Sequence, residues 1–100
     1  MGARVEKGAA RSMSESDIES RFRDEGLSSR PWGNAPGDTY DWHAHEYRKV
    51  LYCVEGSIVF HTHEGDHSLD AGDRLEVEAG TEHAATVGPS GCRCVEAAVR

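Results

Sequence analysis

One hundred residues suffice for one small domain, in which folding buries about two-thirds of the unfolded surface. Eighteen acids against eleven bases give a formal charge of -7, without the basic excess of a DNA- or RNA-binding face. No run approaches the roughly eighteen apolar residues of a membrane span, and residues 1–11 are charged without the apolar centre of a signal peptide. A cytoplasmic protein with neither a nucleic-acid nor a membrane partner is expected.

Residues 1–12 mix Gly, Ala and charge without pattern, and are predicted to be a disordered lead to a single domain over 13–100. A short helix follows at about 14–26. Ser14 or Ser16 can cap it, with Asp17 or Glu19 closing a capping box three residues on. Ile18 and Phe22 share one face at i and i+4, and Gly26 can end the helix in a left-handed conformation. A helix this short needs a surface to lie on, within the domain or on a neighbouring subunit.

From about 28 to 99 the signals are those of strands and turns. Asn34-Ala35-Pro36-Gly37-Asp38 is a turn cluster. Residues 50–54 read as a strand, Glu55-Gly56 as a tight turn, and 57–62 as the next strand. Glu64-Gly65-Asp66 closes a hairpin to a short return strand at 67–69, and Asp70-Ala71-Gly72-Asp73 turns again. Further strands are expected at 75–77, 84–87 and 92–99, the last two parted by Gly88-Pro89-Ser90-Gly91. Many short strands with turn signals about every ten residues indicate a sandwich or barrel. No internal repeat is present, so one such unit is expected. Cys53, Cys92 and Cys94 are an odd number in a reducing compartment, so no disulfide framework is expected.

The histidines carry the chemistry. His43 and His45 are one residue apart, and on a strand such side chains point the same way. A third histidine from a distant strand would complete a three-nitrogen face for a divalent transition metal (zinc, iron, nickel, manganese or copper), with positions left open for water or substrate. His61-Thr62-His63 imitates the spacing in a different phase. Ile58 and Phe60 read as core-facing, which turns His61 and His63 outward. His67, beside Asp66, is assigned no role.

Gly37, His43, His45 and Gly56 fall on the pattern G-x5-H-x-H-x3,4-E-x6-G, and Gly72, Gly80 and His83 fall on G-x5-P-x-G-x2-H-x3-N. Over roughly residues 32–98 the chain thereby resembles the cupins. That resemblance implies an all-β fold, a single cupin jelly-roll barrel, here preceded by the short N-terminal helix. It also implies metal ligation by His43, His45 and His83. Three positions depart from the pattern: Lys49 stands where the family places a ligating glutamate, Glu78 replaces the proline and Val87 the asparagine.

Lys49 admits three readings. It can turn away and pair with an acid such as Glu46 or Glu78, it can stay in the pocket and hold an anionic substrate, or the site can have lost its metal. Glu46 is a candidate replacement ligand, although it alternates to the opposite face if the strand continues. Tyr47, Glu46 and Lys49 are the pocket candidates; no side chain stands out as a catalytic residue.

Two functions remain open. One is a small metal-binding cupin of unassigned substrate, its metal on a three-histidine site; as an enzyme it would be a metal-dependent dioxygenase or isomerase. The alternative is a non-catalytic cupin that binds or senses a small ligand, with or without metal. Fold alone does not decide between them. Exposed sheet edges and the family resemblance imply a homodimer.

Overall fold

The structure, a computed structural model, describes residues 2–100. Its elements are β1 (Ala3–Glu6), α1 (Glu15–Asp24), β2 (Ser29–Asn34), β3 (Thr39–His43), β4 (Arg48–Thr62), β5 (Gly65–Asp70), β6 (Arg74–Val77) and β7 (His83–Val99). The strands join in one sheet in the order β1-β6-β4-β7-β2, with β3 also on β7 and β5 also on β4. Every pairing is antiparallel. The result is the expected all-β jelly roll with one short helix, formed as a sheet folded over on itself rather than as a closed barrel. Among the described residues no helix is long and apolar enough to cross a membrane.

Two apolar layers hold this sheet. Leu51, Cys53, Ile58, Phe60, Leu75 and Cys94 belong to the inner layer, enclosed between the folded halves. Val50, Tyr52, Val95 and Ala97 face the other way and are covered by Ile18 and Phe22 of α1. Both faces of β4 and β7 are therefore buried where the helix lies. This explains why 50–54 and 94–99 read as nearly continuous apolar runs instead of alternating ones. The helix begins with the capping box Ser14–Asp17 and is also held by Arg93, whose Nε lies 2.5 Å from Glu15.

Two predicted turns are instead irregularities inside long strands. Glu55-Gly56 does not reverse the chain, because β4 runs on to Thr62 with register shifts at Cys53/Glu55 and Gly56/Ile58. Gly56 has φ +71°, and a Cβ there would lie 2.0 Å from the carbonyl oxygen of Gly91. Only glycine allows the two backbones to approach so closely. Opposite it, residues 88–91 make an excursion within β7 where the ladder passes from Gly56 opposite Cys92 to Ile58 opposite Val87.

Within the expected disordered lead, the described residues 2–12 are ordered. β1 pairs with β6, with Ala3 opposite Val77 and Glu6 opposite Arg74. Asp73 then captures the turn that follows. Its buried carboxylate accepts the backbone N–H of Gly8 at 2.9 Å and that of Asp70 at 2.8 Å, and it pairs with the Lys7 ammonium. Ala10 is buried in the helix-side layer. The composition of residues 1–12 could not reveal this, because the partners lie more than sixty residues away.

Burial pushes the Asp73 carboxyl up, but the Lys7 hydrogen bond and the two backbone N–H donors outweigh it and hold the group below its ordinary value of 3.8. A carboxylate shifted downward stabilises the fold above its unfolded pKa, and that contribution is lost as pH falls through the lower folded value. Asp73→Asn should therefore cost about 1–3 kcal/mol at neutral pH. Urea titrations at descending pH should show the gap between wild type and variant closing below about pH 4.

Candidate metal centre

His43 is the last residue of β3, and the β3–β7 ladder sets it directly opposite His83. His45 lies just past the strand end, so strand alternation alone does not aim it. Its backbone carbonyl accepts the N–H of Gly80 at 2.8 Å, which fastens the segment after β3 to the segment that delivers His83. The three side chains converge: one ring nitrogen from each of His43, His45 and His83 lies within 4.8 Å of the others.

Two of the rings are oriented from behind. His43 Nδ1 lies 2.6 Å from the carbonyl of Asp41, and His83 Nδ1 lies 2.9 Å from that of Thr81. A carbonyl can only accept, so each Nδ1 carries a hydrogen, which leaves Nε2 as the nitrogen whose lone pair a neutral ring would offer. The Nε2 atoms of His45 and His83 are buried without a hydrogen-bond partner. Such atoms are rare in folded proteins, and their burial is unfavourable unless something binds them. Burial also lowers the pKa of both imidazoles, with repulsion from Lys49 and His43 adding to it. Below the ordinary value of 6.5 they are neutral at pH 7, the form that ligates. Three imidazoles, two of them with buried, unpartnered Nε2 atoms, fit a borderline divalent ion such as zinc, nickel, copper or iron.

A cavity of about 370 Å³ opens beside this cluster, with His43, His45, Tyr47 and Lys49 among its lining residues. Tyr47 stacks on His45, with ring centroids 4.8 Å apart and planes 23° from parallel. Lys49 points inward because it shares strand parity with Leu51 and Cys53, both in the inner layer. It is 8% exposed, and its Nζ lies 3.3 Å from Oε1 of Glu96. The ammonium is also 5.9 Å from the ring centroids of both Trp32 and Phe60. Glu96 in turn accepts the Trp32 indole N–H at 2.5 Å, while Arg30 Nη2 stands 3.7 Å from its other oxygen.

The profile of the cupin domain matches residues 33–96. The chain belongs to the cupin family. No curated protein matches it at the sequence level. Among solved structures it is similar to an RmlC-like cupin from Shewanella frigidimarina, with 26% identity and a TM-score of 0.65 over 72% of this chain and 64% of that one. It is similar in fold to the polyketide cyclase RemF of Streptomyces resistomycificus, with 20% identity and TM-score 0.65 over 74% of this chain and 55% of that one. A DUF861 family protein from Thermotoga maritima shares 14% identity and a TM-score of 0.61, covering 94% of this chain and 96% of that one.

Within this cupin several expectations need correction. The acid beside Lys49 is Glu96, not Glu46 or Glu78. Glu46 is exposed and is not part of the cavity wall, because the chain turns it away from its neighbour His45. Glu78 accepts the backbone N–H of Gly2 at 3.1 Å. His61 and His63 point outward as expected: His61 bridges Asp66 at 2.8 Å and Thr86 at 2.9 Å, and His63 reaches Glu82 at 2.9 Å while stacking on Trp42. Sequence reasoning missed Arg30, Trp32 and Glu96. Glu96 did leave a signal, being the one acid in the apolar run after Cys94; a charge there must be either exposed or paired inside.

With both side chains only 10% exposed, the Lys49–Glu96 pair is a buried one, and removing a single partner strands the other charge. Lys49→Met should destabilise the protein by about 3–5 kcal/mol. Adding Glu96→Gln should recover most of that loss in thermal melts, whereas two independent single losses would simply add.

Proposed function

We propose that this protein is a small metal-binding cupin in which His43, His45 and His83 hold one divalent transition-metal ion beside a small-molecule cavity. The supporting observation is the pair of buried, unpartnered Nε2 atoms on His45 and His83 within a three-nitrogen cluster. When bound, the metal would supply Lewis acidity toward an oxygen-bearing ligand. The chain's own contribution is orientation: the Asp41 and Thr81 carbonyls fix the His43 and His83 tautomers, and Tyr47 backs the His45 ring. Lys49 replaces the family's glutamate, so the protein offers three ligands rather than four.

One observation favours binding or sensing over turnover. The carboxylate of the cavity, Glu96, is already engaged by Lys49 and the Trp32 indole, which leaves it poorly placed to take a proton from a substrate. The test of the metal reading is elemental analysis after equilibration with zinc or nickel and desalting. The expected result is about one ion per chain in wild type, and its loss in His43→Ala with His83→Ala. Full metal content in the double variant overturns the assignment.

A homodimer belongs to the same reading. β1 and β2 end the strand order, and open edges invite pairing with a second chain. Light scattering should give a mass near twice the 10.9 kDa of one chain. A value near that of a single chain at tens of micromolar defeats the dimer.

A further inference from the structure

We propose that the cavity beside the three histidines takes a small planar monoanion, a carboxylate carried on an apolar unsaturated body. The proposal rests on the metal-binding reading for the importance of this cavity and adds the chemical class of its ligand. The residues that select the anion are Lys49 and Arg30, neither of which belongs to the histidine cluster.

Charge is the first argument. The cavity wall contains two cations, Lys49 and Arg30, and a single carboxylate, Glu96. Apart from the histidines, the charged side chains of the wall leave one positive charge in excess. Lys49, 8% exposed and poorly screened by water, is paired with Glu96 at 3.3 Å, so the excess charge is that of Arg30. Among the described residues, Glu96 is the only carboxylate paired with Lys49, which leaves ammonium hydrogens for a ligand. Arg30 stands 3.7 Å from Glu96, beyond a good hydrogen bond, with a side chain 77% exposed at the cavity. Its planar fork suits a carboxylate. A neutral ligand of the same shape would leave the Arg30 guanidinium short of an acceptor.

Shape is the second argument. Trp32 and Tyr40 meet edge to face with centroids 5.8 Å apart, and Phe60 adds another aromatic surface to the wall. Aromatic walls favour a flat apolar body over a compact hydrated ion. The volume of about 370 Å³ lies at the small end of the range of roughly 300–1,000 Å³ for small-ligand pockets. One charged group on one small ring is the match.

The test is calorimetric titration of chelator-stripped protein with benzoate, benzamide and acetate. Benzoate should bind at least tenfold more tightly than benzamide, which lacks the charge, and than acetate, which lacks the ring. In Lys49→Met with Glu96→Gln, which removes the ion pair without stranding a buried charge, benzoate affinity should fall tenfold, equivalent to about 1.4 kcal/mol. Glu96→Gln alone removes the competing carboxylate and should raise benzoate affinity threefold or more. Equal binding of benzoate and benzamide, absence of benzoate binding, or unchanged benzoate affinity in the double variant overturns the proposal. So does weaker benzoate binding by a Glu96→Gln protein that melts like wild type. Metal content of zinc-equilibrated samples is measured separately: benzoate selectivity without metal uptake sinks only the metal reading, and metal uptake without selectivity sinks only this one.

Discussion

Strands β4 and β7 lie side by side from Arg48 opposite Val99 to Thr62 opposite His83, and the rest of the molecule depends on that register. The same ladder closes the inner apolar layer, supplies the floor for α1 and positions the site. At one end it brings the Lys49 and Glu96 side chains to the inner face; at the other it places His83 where β3 can set His43 across from it. A one-residue slip would turn Lys49 and Glu96 onto the helix side and Val50 and Val95 inward. Burial on both faces opposes such a slip, since it would drive a lysine and a glutamate into the contact with Ile18 and Phe22. Gly56 and its excursion partner at 88–91 lock the register further, because no other residue fits against the Gly91 carbonyl.

Electrostatics inside the fold follow from this packing. A lysine in the inner layer would be costly alone, and so would a glutamate. Placed on facing strands they compensate each other, with the Trp32 indole taking up further acceptor capacity on Glu96. Burial lowers the pKa of His45 and His83, and the Lys49 cation beside them adds to that lowering. The site therefore combines ring nitrogens that stay unprotonated at neutral pH with a positive cavity wall. A carboxylate ligand in the position of Lys49 would have produced the opposite polarity, neutralising a bound metal and discouraging an anion.

Residues 3–8 show how the same fold is closed at its margin. β1 extends the sheet beyond β6, and Asp73 collects backbone donors from Gly8 and from its own turn. Asp73 and Gly72 belong to the stretch that the second histidine pattern shares, so residues read first as part of a motif also act as the anchor for a distant segment. Gly72 N–H bonds the Cys53 carbonyl at 2.8 Å, tying that turn to the middle of β4.

Local chemistry was sufficient for several features of this chain. The capping box at Ser14, the Ile18–Phe22 stripe, the strand-rich remainder and the His43-x-His45 pair are short-range patterns, whereas His83 joined the pair through the resemblance to the cupin pattern. Parity with Ile58 and Phe60 likewise sent His61 and His63 outward without reference to anything distant. Other features were decided only when the chain closed. Residues 1–12 have no pattern of their own, and the described ones, from 2 onward, become ordered through partners across the sheet. Glu55-Gly56 resembles a turn in sequence, yet the backbone of β7 lying against it makes it a bend within one strand. The partner of Lys49 is Glu96, forty-seven positions away. That choice depends on the facing of two strands whose register is set by burial along their whole length, and no local rule reports it.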